Sequence, residues 1–564
     1  MMRRSFAPLV AAPLVALACS GGGGGSASSD THVTSASTSS ASTGTSTGTG
    51  TSDATSAGTA AAASGGESET GPKYDVGSDK DVGGGGMGTA CEQAEAAKSN
   101  QGCEFWAADL PNAWQVQSSP APENQPYAIV AVNTASDPAN VSVFAGAEAM
   151  PLKSATVPAG SLFVFTFDNA LGLGNRENSY GTAYRIESDL PVTVYQFNPL
   201  DNSTEVFSND ASILFPAHVL DGDYTAVTGD GTRMGFPMDF NAGAFVTVAA
   251  TEDDTSVTFF PPKMIPLYAG DTKVKLMRGQ TYTIMSNAVM SLFQNIAGQG
   301  NLSGTRIRAD KPVAVFSGNV ASFEPTPQNG CCADHLEHQM LPLAAWGSSY
   351  VVVAAAPNSG SQEDKVRVRL TGSFDGTQLT YFPQKPAGAP LIISAYQTVA
   401  FTADTSFVVR SDKPFAATEF LLSNEVVTAD PTPDDDADNG TWPGDPAMIL
   451  VPPTAQYQSH YIFFVPAEYA LNFVTIVREA GAQVLLDGVD VSADPAWDDV
   501  ATVDGVTWQR GHFELGFGPH RVDSGGDDQK VGITVVGYDT AVSFGYAGGS
   551  GVEYIGAPPM PPPE

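Results

Sequence analysis

Positive charge is what this chain has least of: 26 lysines and arginines stand against 61 aspartates and glutamates, a formal net charge of -35. Nucleic acids are held by clustered positive charge, so this balance excludes them as partners. An acidic surface suits an exported protein and could collect divalent cations. Histidine is scarce at 7 residues, and cysteine at 5, too few for a disulfide-dense scaffold. No GxSxG elbow, P-loop, HExxH or dinucleotide fingerprint occurs. With the standard catalytic signatures missing, the chain reads as a protein without enzymatic activity. Past the first residues, no apolar run approaches the about 18 residues a membrane-crossing helix needs.

The ends are distinctive. "MMRRSFAPLVAAPLVALAC" has a basic start at Arg3 and Arg4, an apolar run over 6–18 and a small-residue exit. That is the pattern of a secretory signal. Its end at Cys19 resembles a lipobox, whose cysteine becomes lipidated and N-terminal. The larger aliphatic residue stands two before the cysteine rather than three, so ordinary cleavage is the alternative. Residues 20–89 are Ser-, Thr- and Gly-rich with almost nothing to bury, the composition of a disordered tether. The tail over 549–564, ending "APPMPPPE", is proline-rich.

Between them lies the folded region, 90–548. Cys91 and Cys103 flank "EQAEAAKSNQG", whose Ala, Glu and Lys favour one short N-terminal helix. In an oxidising compartment, a Cys91–Cys103 disulfide would staple that helix to the fold. The rest reads as all-β. Alternating strands with Asp and usually Pro two residues later recur as "YRIESDLPVTVYQF" (184–197), "TRIRADKPVAVFSG" (305–318) and "FVVRSDKPFAATEF" (407–420). A weaker copy is "ITVVGYDTAVSFGY" (533–546). Asp followed by Pro is turn chemistry, so Asp189, Asp310, Asp412 and Asp539 are read as structural turn residues. Each unit is expected to open on a Leu/Val-Pro element, such as "LPNAWQVQ" at 110. Repeats are placed near 105–200, 211–320, 340–423 and 448–548. About seven short strands in units of roughly 85–110 residues predict four tandem β-sandwich-like repeats, with a β-propeller-like arrangement as the alternative.

Two stretches carry candidate chemistry. "CCADHLEHQMLP" at 331–342 places Cys331 and Cys332 before His335 and His338, with Asp334 and Glu337 between. Three apart, the histidines would share a helix face and could bind zinc. The plainer reading is a turn-rich connector between repeats, and contact with a partner is the third. Cys331 and Cys332 can bridge each other or pair elsewhere. The second stretch, "DPTPDDDADNGTWPGD", sets Asp434, Asp436, Asp438 and Asp445 in an order that echoes a calcium loop. Gly440 is one place late and Pro443 intrudes, so the alternative is a solvated acidic loop. Calcium is therefore the one cofactor left open; otherwise none is expected.

On "TRIRADKPVAVFSGN" (305–319), "CCADHLEHQMLPLAAWGSSYVVV" (331–353) and "CEQAEAAKSNQGCEFW" (91–106), the chain resembles the N-terminal domain of the IgGFc-binding protein family, in its bacterial, myxobacteria-like branch of exported lipoproteins. The resemblance covers about 90–548 and implies extracellular binding or adhesion; it does not carry over a ligand. Ala321 stands near where relatives often have a cysteine, which leaves the partner of Cys331 or Cys332 open. The expectation is a non-catalytic surface or envelope binding lipoprotein. It would be held to the bacterial outer membrane by its lipid alone, on the surface or periplasmic face, with a protein or glycan ligand. The alternatives are a structural envelope or matrix component, and a metal-dependent enzyme using the 331–342 loop.

Overall fold

The computed structural model describes residues 89–113, 121–167, 179–200, 208–234, 240–263, 265–268, 270–287, 300–325, 333–356, 365–423, 444–526, 528–539 and 542–555. Regular structure there is strand, apart from the helix Ala90–Ala97 and four single 3-10 turns. Thr89 starts the helix with a capping box. Its Oγ1 accepts the Glu92 amide at 3.3 Å, and Glu92 Oε2 accepts the Thr89 amide at 2.6 Å. A Cys91–Cys103 disulfide ties the helix to the strand Gly102–Ala107.

One pairing scheme recurs along the chain. In its first occurrence Tyr127–Asn133 lies between Leu162–Phe167 and the second half of the long strand Tyr184–Phe197. Ala139–Ala145 lies between Pro151–Val157 and the first half of that strand, with Gly102–Ala107 on its other side. Ala211–Leu214 then pairs with the second half. The result is two four-stranded layers, with one strand passing through both. Arg306–Ser322 does the same in the second occurrence. In the third and fourth the shared strand is split, into Phe407–Ser411 and Phe415–Phe420, and into Gly518–Ser524 and Gly532–Asp539. Ser179–Thr182 crosses over, adding to the second group beside Gln280–Met285.

Strand periodicity explains the layering. In the third group Val366, Val368 and Leu370 point inward from one layer. They meet Leu379, Tyr381, Phe407 and Val409 from the other in a single core. Each group is therefore a β-sandwich. It has twice the strands of a propeller blade, in two layers instead of one.

The Asp-x-Pro signature marks the corner where the shared strand changes layers. Pairing with the first layer ends at Ser188, Ala309 and Ser411, and pairing with the second resumes at Val192, Val313 and Phe415. Three residues between are free of the ladder, which is why Pro191, Pro312 and Pro414, lacking an N–H, are tolerated. The aspartates fasten these corners to a neighbouring strand. Asp189 Oδ1 accepts the Asn140 amide at 2.7 Å, Asp310 Oδ1 that of Ser256 at 2.7 Å, and Asp412 Oδ1 that of Gln378 at 2.8 Å.

Two sequence expectations need correction. Asp539 ends a hairpin into the strand Val542–Ala547, so it is not the fourth corner. That corner is the longer segment 525–531, where Gln529 Oε1 takes over the aspartate's role and accepts the Gln483 amide at 2.9 Å. The first group opens on Gly102–Ala107, and Leu110-Pro111 follows that strand instead of preceding it. A helix replaces the 3-10 turn that precedes the opening strands of the later groups.

The last strand of each sandwich faces inward: Ala211–Leu214, Asp334–Gln339, Met448–Leu450 and Val542–Ala547. Each lies against the next, and the fourth against the first, so the cycle closes. Contacts between the first and last described segments close it again. The Asn100 amide donates to Ser550 O at 3.1 Å and the Val552 amide to Lys98 O at 2.7 Å. The buried Tyr195 hydroxyl, from the first sandwich, reaches Ile462 O at 3.2 Å and Gly548 O at 2.9 Å in the fourth.

Candidate functional site

The segment expected to be a connector is the second inner strand. Asp334, His335, Leu336, Glu337, His338 and Gln339 are each 0% exposed, which overturns both the loop reading and the partner-contact reading. Gly318 of the neighbouring strand admits it: a Cβ there would stand 1.7 Å from Leu336 O. On a strand, residues three apart point to opposite faces, so His335 and His338 do not converge. His335 Nε2 lies 3.2 Å from Glu337 Oε2, and its ring stacks on Phe245 at 5.9 Å between centroids. His338 Nδ1 lies 2.7 Å from Gln339 O; a carbonyl only accepts, so the proton sits on Nδ1. Burial pushes His335 down to about 3 and His338 to about 4, which keeps both rings neutral. Among the described residues no group of three His, Cys, Asp or Glu is arranged to hold a metal ion. Cys19, Cys331 and Cys332, together with Asp434, Asp436 and Asp438, lie outside the described residues. Asp445 is described and buried, 1% exposed, so it is not part of a solvated loop.

The polar residues that organise this centre include several with no motif around them. Asp210 precedes the first inner strand. Its Oδ1 accepts the amides of Ala211 at 2.9 Å and Gly545 at 3.3 Å. Its Oδ2 accepts those of Glu337 and Met448, both at 3.1 Å. One carboxyl group thus binds all four inner strands. Burial raises its pKa and the amide bonds pull against that; a group that only accepts fits the carboxylate. Gln196 is fully used as well: Oε1 accepts Ala108 N and the Tyr127 hydroxyl, while Nε2 donates to Ala108 O and Glu337 Oε1. Between the second and third sandwiches the buried Arg369 guanidinium donates to Glu324 Oε1 at 2.7 Å and Asp230 Oδ1 at 3.2 Å. These residues carry no local signature, because each acts on groups far away in sequence. The recurrence of Asp at or just before the start of an inner strand, at 210, 334 and 445, was the one available hint.

The surface offers different features. An open polar cleft of about 990 Å³ lies beside Cys103, lined by Glu95, Glu104, Glu187 and Asp253 with Arg278 and Lys311. Large apolar side chains recur on or next to the outermost strand of one layer in every sandwich. Met150 and Leu152 flank and join Pro151–Val157, and Met277 follows Lys273–Leu276. Leu391 and Ile392 sit at Ile392–Ile393, and Val489 at Val489–Asp490. Their exposures run from 46% for Leu152 and Met277 to 75% for Met150.

Fold and centre together define an array of β-sandwiches closed around a sealed polar hub, with its accessible features on the rim. The sequence profile described as IgGFc binding protein matches residues 210–537, and the chain belongs to that family. It is 24% identical over 420 residues to the human protein named IgGFc-binding protein, a match covering 73% of this chain but only 7% of that relative. A solved anti-sigma factor domain-containing protein overlaps 72% of this chain and 96% of its own, at 9% identity and a TM-score of 0.10, too low to carry an argument. No helix among the described residues is long and apolar enough to cross a membrane.

Asp210→Asn puts an N–H2 where two amides now donate. It should cost about 2–5 kcal/mol, read as a lowered denaturant midpoint. Stability should also depend on pH in a definite sense. Burial raises Asp445 to about 7 and Glu419 to about 8, so the native state holds protons there that the unfolded chain has released. The stability these groups contribute is lost as pH rises through those values. The depressed His335 and His338 act oppositely, but only below their ordinary value of 6.5. Above it the acids act without that opposition, so the melting temperature should fall between pH 6.5 and 9. A melting temperature that rises over that interval would contradict this.

Proposed function

We infer that this protein is a non-catalytic binding or adhesion protein of the cell surface or envelope, held to a bacterial outer membrane by lipid at Cys19. The observation that carries the binding reading is the recurrence of exposed apolar side chains on or next to the outermost strand of every sandwich. Isolated exposed apolar residues mean little, but the same feature at equivalent sheet edges is a repeated contact surface. Four weak contacts on one rigid body gain strength together against a repetitive partner such as a glycoprotein polymer or a protein lattice. Membership of a family named for binding an immunoglobulin fragment supports the reading at the level of an extracellular protein partner. The short span shared with the human relative is the reason the ligand itself is not carried over. The enzyme alternative has little to stand on, because the histidines and acids of 334–339 are sealed from solvent.

Ile392→Lys combined with Val489→Lys should leave the melting temperature within a degree or two, since both sites are exposed. The pair should weaken saturable binding of the full-length protein to a mucin-type glycoprotein or to extracted cell-surface material at least tenfold. Equal binding by variant and parent would remove the edge-strand reading. The anchor is tested separately: Cys19→Ser should end incorporation of labelled palmitate and move the protein from the membrane fraction to the soluble one. A protein that stays in the membrane fraction without that cysteine is held some other way.

A further inference from the structure

The fourth sandwich carries exposed apolar residues on two separate segments. Val489 follows the two-residue turn Asp487-Gly488, whose φ values of 51° and 79° make a tight hairpin between Val484–Leu486 and Val489–Asp490. Phe517 stands in the segment 515–517, between the strands Val506–Glu514 and Gly518–Ser524. Phe517 is 75% exposed and Val489 64%, while Leu486 and Leu515 root the two segments in the core. One side chain bonds both segments. His520 Nδ1 lies 2.8 Å from Asp487 Oδ2 in the hairpin turn, and its Nε2 lies 2.8 Å from Gly516 O, just before Phe517.

A carbonyl oxygen only accepts, and so does a carboxylate. A neutral imidazole has one N–H and can satisfy one of them, so both bonds together require the doubly protonated ring. Asp487 is the ionised partner, since its Oδ1 also accepts the Arg521 amide at 2.8 Å. Burial pulls the His520 ring down, but its bonds to Asp487 and Gly516 outweigh this and leave it above the ordinary 6.5. Burial would raise Asp487, yet His520 and the Arg521 amide hold it below its ordinary value. The other groups near the ring do not compete. Phe463 of the adjoining strand lies 5.8 Å away between ring centroids and is uncharged. Arg521 and Asp523 alternate with His520 along their strand and face the other way, where Asp523 pairs with Arg521 and His460. Asp490 is bonded to Gln483 and Ser492, and Glu514 is exposed at the end of its strand.

We propose that His520 is a proton-operated clamp: while charged it ties the Phe517 segment to the Val489 hairpin, so that the fourth sandwich offers its partner one fixed apolar surface, and on losing the proton it lets that segment go. This rests on the reading of the exposed apolar residues as contact sites and adds the condition that governs the fourth of them. When the proton leaves to solvent, the ring keeps one N–H, and the carboxylate is the stronger acceptor for it. Nε2 then turns a lone pair toward Gly516 O, and the segment is released. A group whose pKa folding raises gives its full stabilisation below the ordinary value of 6.5 and loses it as pH rises through the raised one. The clamp is therefore closed in mildly acidic surroundings and open in alkaline ones.

The test uses the full-length protein at pH 6 and pH 8.5. In nitrogen-15 histidine spectra, His520 should have both nitrogens protonated at pH 6, and Asp487→Asn should weaken its hold on the second proton about tenfold. Chymotrypsin cleavage after Phe517 reads the segment itself. Compared with His520→Gln at the same pH, wild type should be cut about tenfold more slowly at pH 6 and equally fast at pH 8.5. Saturable binding to immobilised mucin should follow the segment. Wild type should bind several-fold more tightly than His520→Gln at pH 6 and equally at pH 8.5, and Phe517→Ser should remove the difference between the two pH values. A ring singly protonated at pH 6, or equal cleavage of wild type and His520→Gln there, overturns the clamp. A segment that tightens while mucin binding does not follow overturns the regulation. Should mucin bind at neither pH, the contact reading fails and takes the regulation with it, while titration and cleavage still decide the clamp.

Discussion

Asp210 sits where the inner strands of all four sandwiches meet, and its two oxygens receive amides from each of them. Those amides lie at sheet edges facing the centre, with no further strand to bond. A buried unpaired N–H costs about 1–3 kcal/mol, and a buried carboxylate costs more unless several donors surround it. Each problem answers the other: the edges supply donors, and the carboxylate supplies acceptors for strands that do not hydrogen-bond one another as a sheet. Closure of the cycle at its centre rests on this exchange.

The rest of the hub follows the same logic with less margin. Gln196 spends all its hydrogen-bonding capacity between an opening segment of the first sandwich and Glu337 of the second. Arg369 places a buried cation between Glu324 and Asp230, at the seam of the second and third. Burying such groups is a poor way to add stability, since apolar residues of similar volume often do as well or better. What polar contacts add is direction: an acceptor bonds particular amides at particular angles, whereas apolar side chains would let the sandwiches slide.

This division of labour shapes the functional reading. Reactive side chains are at the centre, buried from solvent, while the rim carries an open polar cleft and exposed apolar side chains at its sheet edges. A protein built this way meets other molecules with its outside and uses its chemistry to stay assembled. Membership of the IgGFc binding protein family accords with that outward role.

Much of the architecture was legible beforehand. Alternating strands, Asp-Pro corners, the short helix and the Cys91–Cys103 staple all follow from patterns within about 15 residues, where local backbone chemistry decides the outcome. The fourth corner escaped because Gln529, four residues further along a longer segment, does what an aspartate does in the other three. The stretch "CCADHLEHQMLP" misled for a related reason. Its charged and polar letters describe a surface loop when read alone, and Asp334–Gln339 within it is a buried strand because donors from the first and fourth sandwiches meet its side chains. Period, turn chemistry and redox context belong to the sequence by itself, since they are properties of neighbours along the chain. Which acids are buried and which strands close the cycle were decided by tertiary structure alone. Those properties arise between segments far apart in sequence: Asp210 and Gly545 are separated by 335 residues.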